Sequence, residues 1–195
     1  MSYIKEYLWE LVPTAMPAVR KKCPKCGEKT DYISTGKFRI NANKNSIDVW
    51  LIYQCEKCKT SWNMDIYDRV KAGSLDNEEY KRFSENEEEL AKEYGFDIGI
   101  HNKNKVELRI KDVKYDVKKV KLLEAVSEKD ETIIKIRCKY PCEMRIDRLL
   151  ADNMNISRNS VKRMYEEGYI ILENDKNLLK SKVEDGMVIR IMWET

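Results

Sequence analysis

The sequence lacks the features of several large classes of protein. It contains a single histidine, His101, so most active sites that need an imidazole base and most histidine-rich metal sites are excluded. No apolar run approaches the roughly 18–20 residues of a membrane-spanning helix, since the longest ones, near Val49–Tyr53 and Tyr169–Leu172, have the length of a strand. Met1–Glu6 has no basic segment followed by an apolar one, so we expect no secretory signal.

Motifs of the common enzyme classes are also missing. The chain shows no glycine-rich phosphate-binding loop and no recognisable pair of nucleophile and base. We therefore expect that the protein is not an enzyme. A catalytic group assembled from scattered carboxylates is the alternative that the sequence leaves open.

The composition is that of a highly charged globular protein. Of the 195 residues, 36% are charged and 42% are hydrophobic, while the formal net charge is only +3. These values exclude a membrane span and a disordered tail, and the length fits one or two small domains. We expect a cytoplasmic protein with no membrane partner.

The cysteines are the most informative residues present. Four of the six form two pairs with two-residue gaps, Cys23 with Cys26 and Cys55 with Cys58. A tight turn points both sulfurs of such a pair at one ion, and two turns supply the four thiolates that fill the tetrahedral shell of Zn²⁺. Without a secretory signal, this spacing favours a metal over disulfides. We predict one structural zinc ion, with iron in a rubredoxin-like site as the alternative.

The residues between the two pairs predict a hairpin. Phe38–Ala42 and Ile47–Tyr53 alternate apolar and polar residues around a polar turn at 43–46, and Trp62–Ile66 predicts a third strand. Turn, hairpin, turn and strand is the order of a zinc ribbon, and residues 1–72 resemble that broad family. Zinc ribbons bind nucleic acid in some proteins and support protein contacts in others. The ribbon pattern alone does not indicate which of these roles applies.

The local net charge of the segment 73–136 changes from negative to positive along the chain. Residues 76–93 carry eight acidic and three basic residues with apolar residues at helical spacing, which predicts one or two short helices with a solvated acidic face or, alternatively, a partner-binding surface. Residues 101–123 carry eight basic and three acidic residues and alternate in polarity, with a slip before Val120 and Leu122 that predicts a bulge. Their lysine-rich face either protects a sheet edge from pairing or binds the phosphate backbone of a nucleic acid.

The last segment, 137–195, predicts two helices followed by two strands. Apolar residues recur at i, i+3 and i+4 in both helices. They are Ile146, Leu149 and Leu150 in the first helix and Val161, Met164 and Tyr165 in the second. Ser157 is a good N-cap for the second helix. Tyr169–Leu172 and Met187–Trp193 follow as strands. We expect Cys138 and Cys142 to be buried free thiols, with a redox pair or ligands of a second metal as the alternatives. We expect His101 to be a surface or internally bonded residue.

Parts of this segment resemble the small RNA-binding domain of ribosomal protein S-four, which also occurs in pseudouridine synthases and tyrosyl-tRNA synthetases. The matching parts are Arg145–Ala151, Ser157–Arg158, Glu167–Ile170 and Val183–Ile189. The family lays its two helices across structured RNA, so the resemblance implies that RNA contacts the basic residues at the matching positions. These are Arg145, Arg148, Arg158, Lys162 and Arg163.

Two positions depart from the S-four pattern. Leu172–Asp175 replaces the family's valine–asparagine–glycine turn, which puts a loop near the RNA in doubt, and Met187 stands after Gly186 where the family often has aspartate. The charge agrees with the resemblance, because residues 137–163 carry seven basic and three acidic residues. A solvated basic surface without nucleic acid is the alternative.

The whole chain also resembles an uncharacterised bacterial zinc-ribbon family, on the strength of Glu6–Thr14 and Trp50–Cys55. That family has no established activity and implies no catalytic residue. We therefore expect an α+β protein that binds structured RNA, ribosomal or transfer RNA, with the ribosome as one candidate partner. The rival hypothesis is a zinc-stabilised protein-interaction or assembly factor that does not bind nucleic acid.

Overall fold

A computed structural model of the protein describes residues 2–43, 45–173 and 176–193. It confirms the mixed α+β class, with more residues in strands than in helices. In the described residues the strands, in chain order, are β1 (Ser2–Pro13), β2 (Val19–Lys22), β3 (Lys29–Asn43), β4 (Ser46–Cys55), β5 (Ser61–Lys71), β6 (Glu107–Leu108), β7 (Tyr115–Ser127), β8 (Glu131–Arg137), β9 (Ile170–Leu172) and β10 (Val188–Met192). The helices of the same ranges are α1 (Asn77–Ser84), α2 (Glu88–Phe96), α3 (Ile98–Lys103), α4 (Ile146–Met154) and α5 (Arg158–Glu166). Lys44, which belongs to the turn predicted at 43–46, lies outside the described residues. So do Asn174 and Asp175, which belong to the segment 172–175 that stands in place of the S-four turn.

The chain divides into two compact units. The middle unit comprises residues 15–113, and the terminal unit comprises residues 1–14 together with 114–195. These bounds differ from the three segments expected from the sequence, 1–72, 73–136 and 137–195. The difference arises because β1 pairs with β7 and β8, whose residues lie more than a hundred positions further along the chain.

The terminal unit is built on a five-stranded sheet in the order β7-β1-β8-β10-β9. β1 is antiparallel to β7 and parallel to β8, and β10 is antiparallel to both of its neighbours. The predicted helices are confirmed as α4 and α5. Their apolar stripes, with Leu149, Leu150 and Val161 fully buried, share one core with Trp9 and Ile134 of the sheet.

The middle unit is built on a second five-stranded sheet, in the order β5-β4-β3-β2-β6, in which all neighbours are antiparallel. The predicted hairpin is β3 with β4, and the predicted third strand is β5. The predicted acidic helices are α1 and α2, which pack on this sheet through Phe83 and Leu90. Phe83 meets Phe38 of β3 edge to face, with ring centroids 4.8 Å apart.

The three described ranges contain no helix that is both long enough and apolar enough to cross a membrane.

Candidate metal centre and nucleic-acid interface

Two similar turns present the four cysteines of the middle unit. Cys23 directly follows β2, and Cys55 is the last residue of β4. In each turn the fourth residue after that cysteine donates its N–H to the cysteine carbonyl at 2.9 Å, from Gly27 to Cys23 and from Lys59 to Cys55. Both donors have positive φ, 76° at Gly27 and 60° at Lys59. The second turn thus places a lysine in a conformation that favours glycine.

The turns bring all four sulfurs together. The Sγ atoms lie within 4.8 Å of one another, with Cys23 3.5 Å from Cys58 and Cys26 4.0 Å from Cys55. A tetrahedral ion with metal–sulfur bonds of about 2.3 Å needs sulfur–sulfur separations of roughly 3.8 Å. The cluster therefore fits one metal ion. Because four protein sulfurs complete a tetrahedral shell, such a site is closed and suits a structural role.

Neighbouring hydroxyl groups favour the ionised form of two of the thiols. The Thr30 hydroxyl lies 3.2 Å from the Cys55 sulfur and is the main cause of the lowered pKa of Cys55. The pKa of Cys23 is lowered to about 6, chiefly because the Tyr32 hydroxyl points at its sulfur. That contact is weak, since the buried Tyr32 hydroxyl has no partner within strict hydrogen-bond geometry among the described residues. A thiolate at Cys23 would be an acceptor for this hydroxyl.

Sequence reasoning did not identify Thr30 and Tyr32 as neighbours of the cluster. The available signal was their position at the start of the strand that leaves the first cysteine turn. Their roles depend on which way each side chain of β3 points. That direction is set by the register with β4, where Tyr32 lies opposite Cys55.

The single histidine takes no part in the cysteine cluster. His101 is buried, and its Nδ1 lies 2.7 Å from the Asp97 carbonyl oxygen while its Nε2 lies 3.4 Å from the Tyr53 hydroxyl. Burial lowers its pKa below the ordinary value of 6.5, although the Asp97 carbonyl acts in the opposite direction. His101 is thus an internally bonded side chain of the core.

The remaining two cysteines belong to the core of the terminal unit. Cys138 and Cys142 are both buried and not joined in a disulfide. The Cys138 thiol donates to the Tyr140 carbonyl at 3.1 Å. Hydrogen bonding between the two thiols raises the pKa of Cys138 and lowers that of Cys142.

Two of the five arginine and lysine residues implied by the S-four resemblance meet at one carboxylate. Asp147, in the first turn of α4, is 4% exposed. It accepts from Arg158 Nη2 at 2.6 Å and from Arg145 Nε at 3.1 Å. Burial alone would raise the pKa of Asp147, but the bonds from the two arginines outweigh it and hold that pKa below its usual value. Asp147 therefore fixes both guanidinium groups beside the helix starts.

The other three implied residues are more exposed and pair along their own helices. Each lies four positions before an acidic residue, with nitrogen–oxygen distances between 3.4 and 4.0 Å. The pairs are Arg148 with Asp152, Lys162 with Glu166, and Arg163 with Glu167. Each of the five implied cations thus has a carboxylate partner within the terminal unit, which lowers the positive charge of this surface.

The comparisons with known proteins assign the chain to a family but not to a function. Residues 40–176 match the family described as "Protein of unknown function (DUF1062)", and the chain belongs to it. Neither the comparison with curated proteins nor that with solved structures found a match. The predicted membership of an uncharacterised family is confirmed, whereas the likeness to the S-four domain stays a prediction.

Proposed function

We propose that the protein is a non-catalytic, cytoplasmic RNA-binding protein that acts on structured RNA, either ribosomal or transfer RNA. Its α4–α5 pair would dock on the RNA, and a structural zinc ion would stabilise the ribbon of the middle unit. The observation that carries the proposal is the convergence of Arg145 and Arg158 on Asp147. It gathers cations of two helices at one place on the surface.

Both of these arginines retain donors for a phosphate. A guanidinium has five N–H donors. Both arginines donate through Nε and Nη2, Arg158 to Asp147 and Arg145 to Asp147 and the Leu179 carbonyl, which leaves the Nη1 donors of each for a ligand. The side chains of Arg145 and Arg158 are 47% and 52% exposed. A carboxylate that holds one edge of a guanidinium fixes its direction, so the remaining edge is preorganised to bind phosphate oxygens in pairs.

The other three cations are available because their ion pairs are weak. The side chains of Arg148, Lys162 and Arg163 are more than half exposed. Exposed pairs four residues apart on a helix contribute only about 0.3–0.5 kcal/mol. A phosphate brought close by the bound RNA would compete with such a carboxylate at little cost.

Zinc is the metal that we propose for the cysteine cluster. A closed shell of four thiolates suits zinc, which has no redox chemistry and accepts tetrahedral sulfur ligands. The same geometry also fits iron, as in a rubredoxin-like site. We favour zinc because a structural role requires no redox chemistry, and metal analysis decides between the two.

The test of RNA binding compares two double variants of equal charge change. Lys162→Gln with Arg163→Gln removes cations from α5, whereas Lys135→Gln with Arg137→Gln removes exposed cations from β8, on the sheet face opposite Trp9. Binding of total transfer RNA and of ribosomal RNA is measured by filter retention at about 50 and 200 mM salt. The α5 variant is expected to bind more weakly, with the salt slope reduced by about 1 for each phosphate that is no longer neutralised. Equal weakening in both variants, or weakening in the β8 variant alone, contradicts the proposed docking surface.

A second candidate function is a protein-interaction or assembly factor that does not bind nucleic acid. Two observations favour it: the internal carboxylate partners of the five cations, and the exposed apolar residues of β7. These residues are Val120, Leu122, Leu123 and Val126. A stoichiometric protein partner recovered with the chain from nuclease-treated extract, together with no affinity for either RNA, would favour this function.

A further inference from the structure

The terminal unit contains a cleft that the proposed RNA surface does not use. Its volume is about 470 Å³, within the range of roughly 300–1,000 Å³ that is usual for small-molecule sites. The sheet forms one wall through Trp9 of β1 and Ile134 of β8. Met154 at the end of α4 and Met164 of α5 form the other. The cleft is therefore an open continuation of the terminal unit's hydrophobic core.

The walls suit a flat apolar molecule. Ile134 and Trp9 are 1% and 5% exposed and form the deep part, whereas Trp193 is 46% exposed and stands at the mouth. Trp193 offers an exposed indole ring for stacking, whereas the almost buried Trp9 contributes an apolar floor to the cleft. The side chains of Met154 and Met164 adapt to irregular shapes and make favourable sulfur–aromatic contacts. An aromatic body can thus find contacts on several sides.

A single positive charge reaches into this apolar space. Among the described residues that line the cleft, Lys119 of β7 is the one that carries a charge. Its Nζ lies 4.8 Å from the centroid of the Trp9 ring and donates to the Asn153 carbonyl at 2.8 Å. An ammonium group has three donors, so the bond to Asn153 leaves others for a ligand. Lys119 is itself exposed to solvent, so its ammonium is accessible to an anionic group of a ligand.

The Thr132 hydroxyl, which also lines the cleft, can donate to an acceptor as well. The indole N–H of Trp193 donates to the Thr132 hydroxyl oxygen at 3.0 Å. The Thr132 hydroxyl hydrogen can then rotate to donate elsewhere. Lys119 and Thr132 thus both present donors, which discriminates against a cationic ligand.

We propose that this cleft binds a small aromatic carboxylate, with its ring between Trp9, Trp193 and the methionines and its carboxylate on Lys119. This site is separate from the proposed RNA function and does not depend on it. A neutral aromatic molecule would leave the Lys119 ammonium without a counter-ion, and an aromatic ammonium would be repelled by it.

The test uses 2-naphthoate as the probe and 2-naphthylmethylammonium as its cationic counterpart, both measured by calorimetry on the full chain. Naphthoate is expected to bind and to quench tryptophan fluorescence, because two of the four tryptophans line the cleft. The ammonium compound is expected to bind at least about tenfold more weakly, as loss of one hydrogen bond to a charged group costs about that factor. Equal affinity for the two probes, or no binding of naphthoate, overturns the proposal.

Matched variants locate the site. Lys119→Met should weaken naphthoate binding by about tenfold. Lys118→Met should leave it unchanged, because Lys118 lies opposite Glu10 on the other face of the sheet. Met164→Trp should abolish binding by filling the cleft while Lys119 stays in place, so the proposal is still tested if Lys119→Met does not fold. Binding that survives in both Lys119→Met and Met164→Trp assigns naphthoate to another surface and refutes the site.

Discussion

At the scale of single residues, His101 gives the chain one simple pH-sensitive group. Since burial lowers its folded-state pKa below 6.5, the unfolded chain binds more protons than the folded chain just below pH 6.5. The stability contribution of neutral His101 is therefore complete above about pH 6.5 and is lost as the pH falls towards the folded pKa.

We predict that the imidazole titrates below pH 6.5 in the folded protein. Because the chain has one histidine, a proton NMR titration reports its pKa without assignment. The urea-unfolded chain is the control and should titrate near the ordinary histidine pKa of about 6.5. A folded pKa at or above that value would contradict the buried position between Asp97 and Tyr53.

Asp147 is the second residue whose surroundings yield a prediction. We expect Asp147→Asn to lower the free energy of unfolding by about 1–2 kcal/mol, because both arginines lose a charged acceptor, with solvent screening at their exposed ends limiting the effect. Asp152→Asn, which alters only an exposed pair, should change stability by no more than about 0.5 kcal/mol. Urea unfolding measures both variants.

The pH dependence of the Asp147 contribution has a definite sign. Its folded pKa is lowered, so the contribution is present above about pH 4 and is lost as the pH falls further, through the folded pKa. The difference in stability between the natural chain and Asp147→Asn should then shrink in acid. A difference that is unchanged at low pH would show that the ion pair is not its source.

At the scale of secondary-structure elements, the two cysteine turns differ in one respect. Gly27 and Lys59 occupy equivalent positions with positive φ, and only glycine adopts that conformation without strain. A Cβ at Gly27 would meet no atom within 4 Å, so a substitution there tests the backbone alone.

We predict opposite effects at these two positions. Gly27→Ala should lower the free energy of unfolding of the metal-loaded protein by about 1 kcal/mol, and Lys59→Gly should raise it by up to about the same amount. Urea unfolding in the presence of metal provides the measurement. Two changes of the same sign would mean that the turns do not share one conformation.

Local patterns predicted some elements well and missed others. The hairpin β3–β4 and the helices α4 and α5 have regular hydrophobic periodicities. The bulge predicted from the break in alternation before Val120 and Leu122 is present, since Leu122 is skipped where β7 pairs with β1.

The strand β1 is not predicted from the sequence. Ile4 and Leu8 place apolar residues on the face opposite Trp9, so the apolar and polar residues of this segment do not alternate regularly. The alternating polarity of residues 101–123 overstates their strand content. Before β7 begins, the strand in this segment is limited to Glu107–Leu108, and Ile110–Asp112 forms a 3₁₀ turn.

At the scale of the whole molecule, the sequence shows which residues carry chemistry better than it shows what surrounds them. The four clustered cysteines follow from their spacing alone. The carboxylate shared by Arg145 and Arg158 does not, since Asp147 is eleven residues from Arg158 and meets it only through the packing of α4 on α5. The Trp9–Trp193 cleft combines residues from both ends of the chain, and no local pattern indicates it.

Metal removal is expected to act on one unit of the molecule. The cysteine cluster lies at the edge of the core of the middle unit, and the terminal unit has a separate core. Because structural metal binding contributes directly to folding free energy, a chelator should speed amide hydrogen exchange throughout residues 15–113. Exchange in β8, β10 and α4 should change little.

The control for this prediction comes from the chain's other cysteines. Elemental analysis should find about one zinc per natural chain, as four thiolates hold one ion. Cys26→Ser with Cys58→Ser should lose the zinc and reproduce the exchange pattern of the chelated protein. Cys142→Ala, a change to a buried cysteine in the other core, should keep the zinc. Zinc retained without Cys26 and Cys58, or exchange that rises equally in both units, would show that the cluster does not hold the middle unit together.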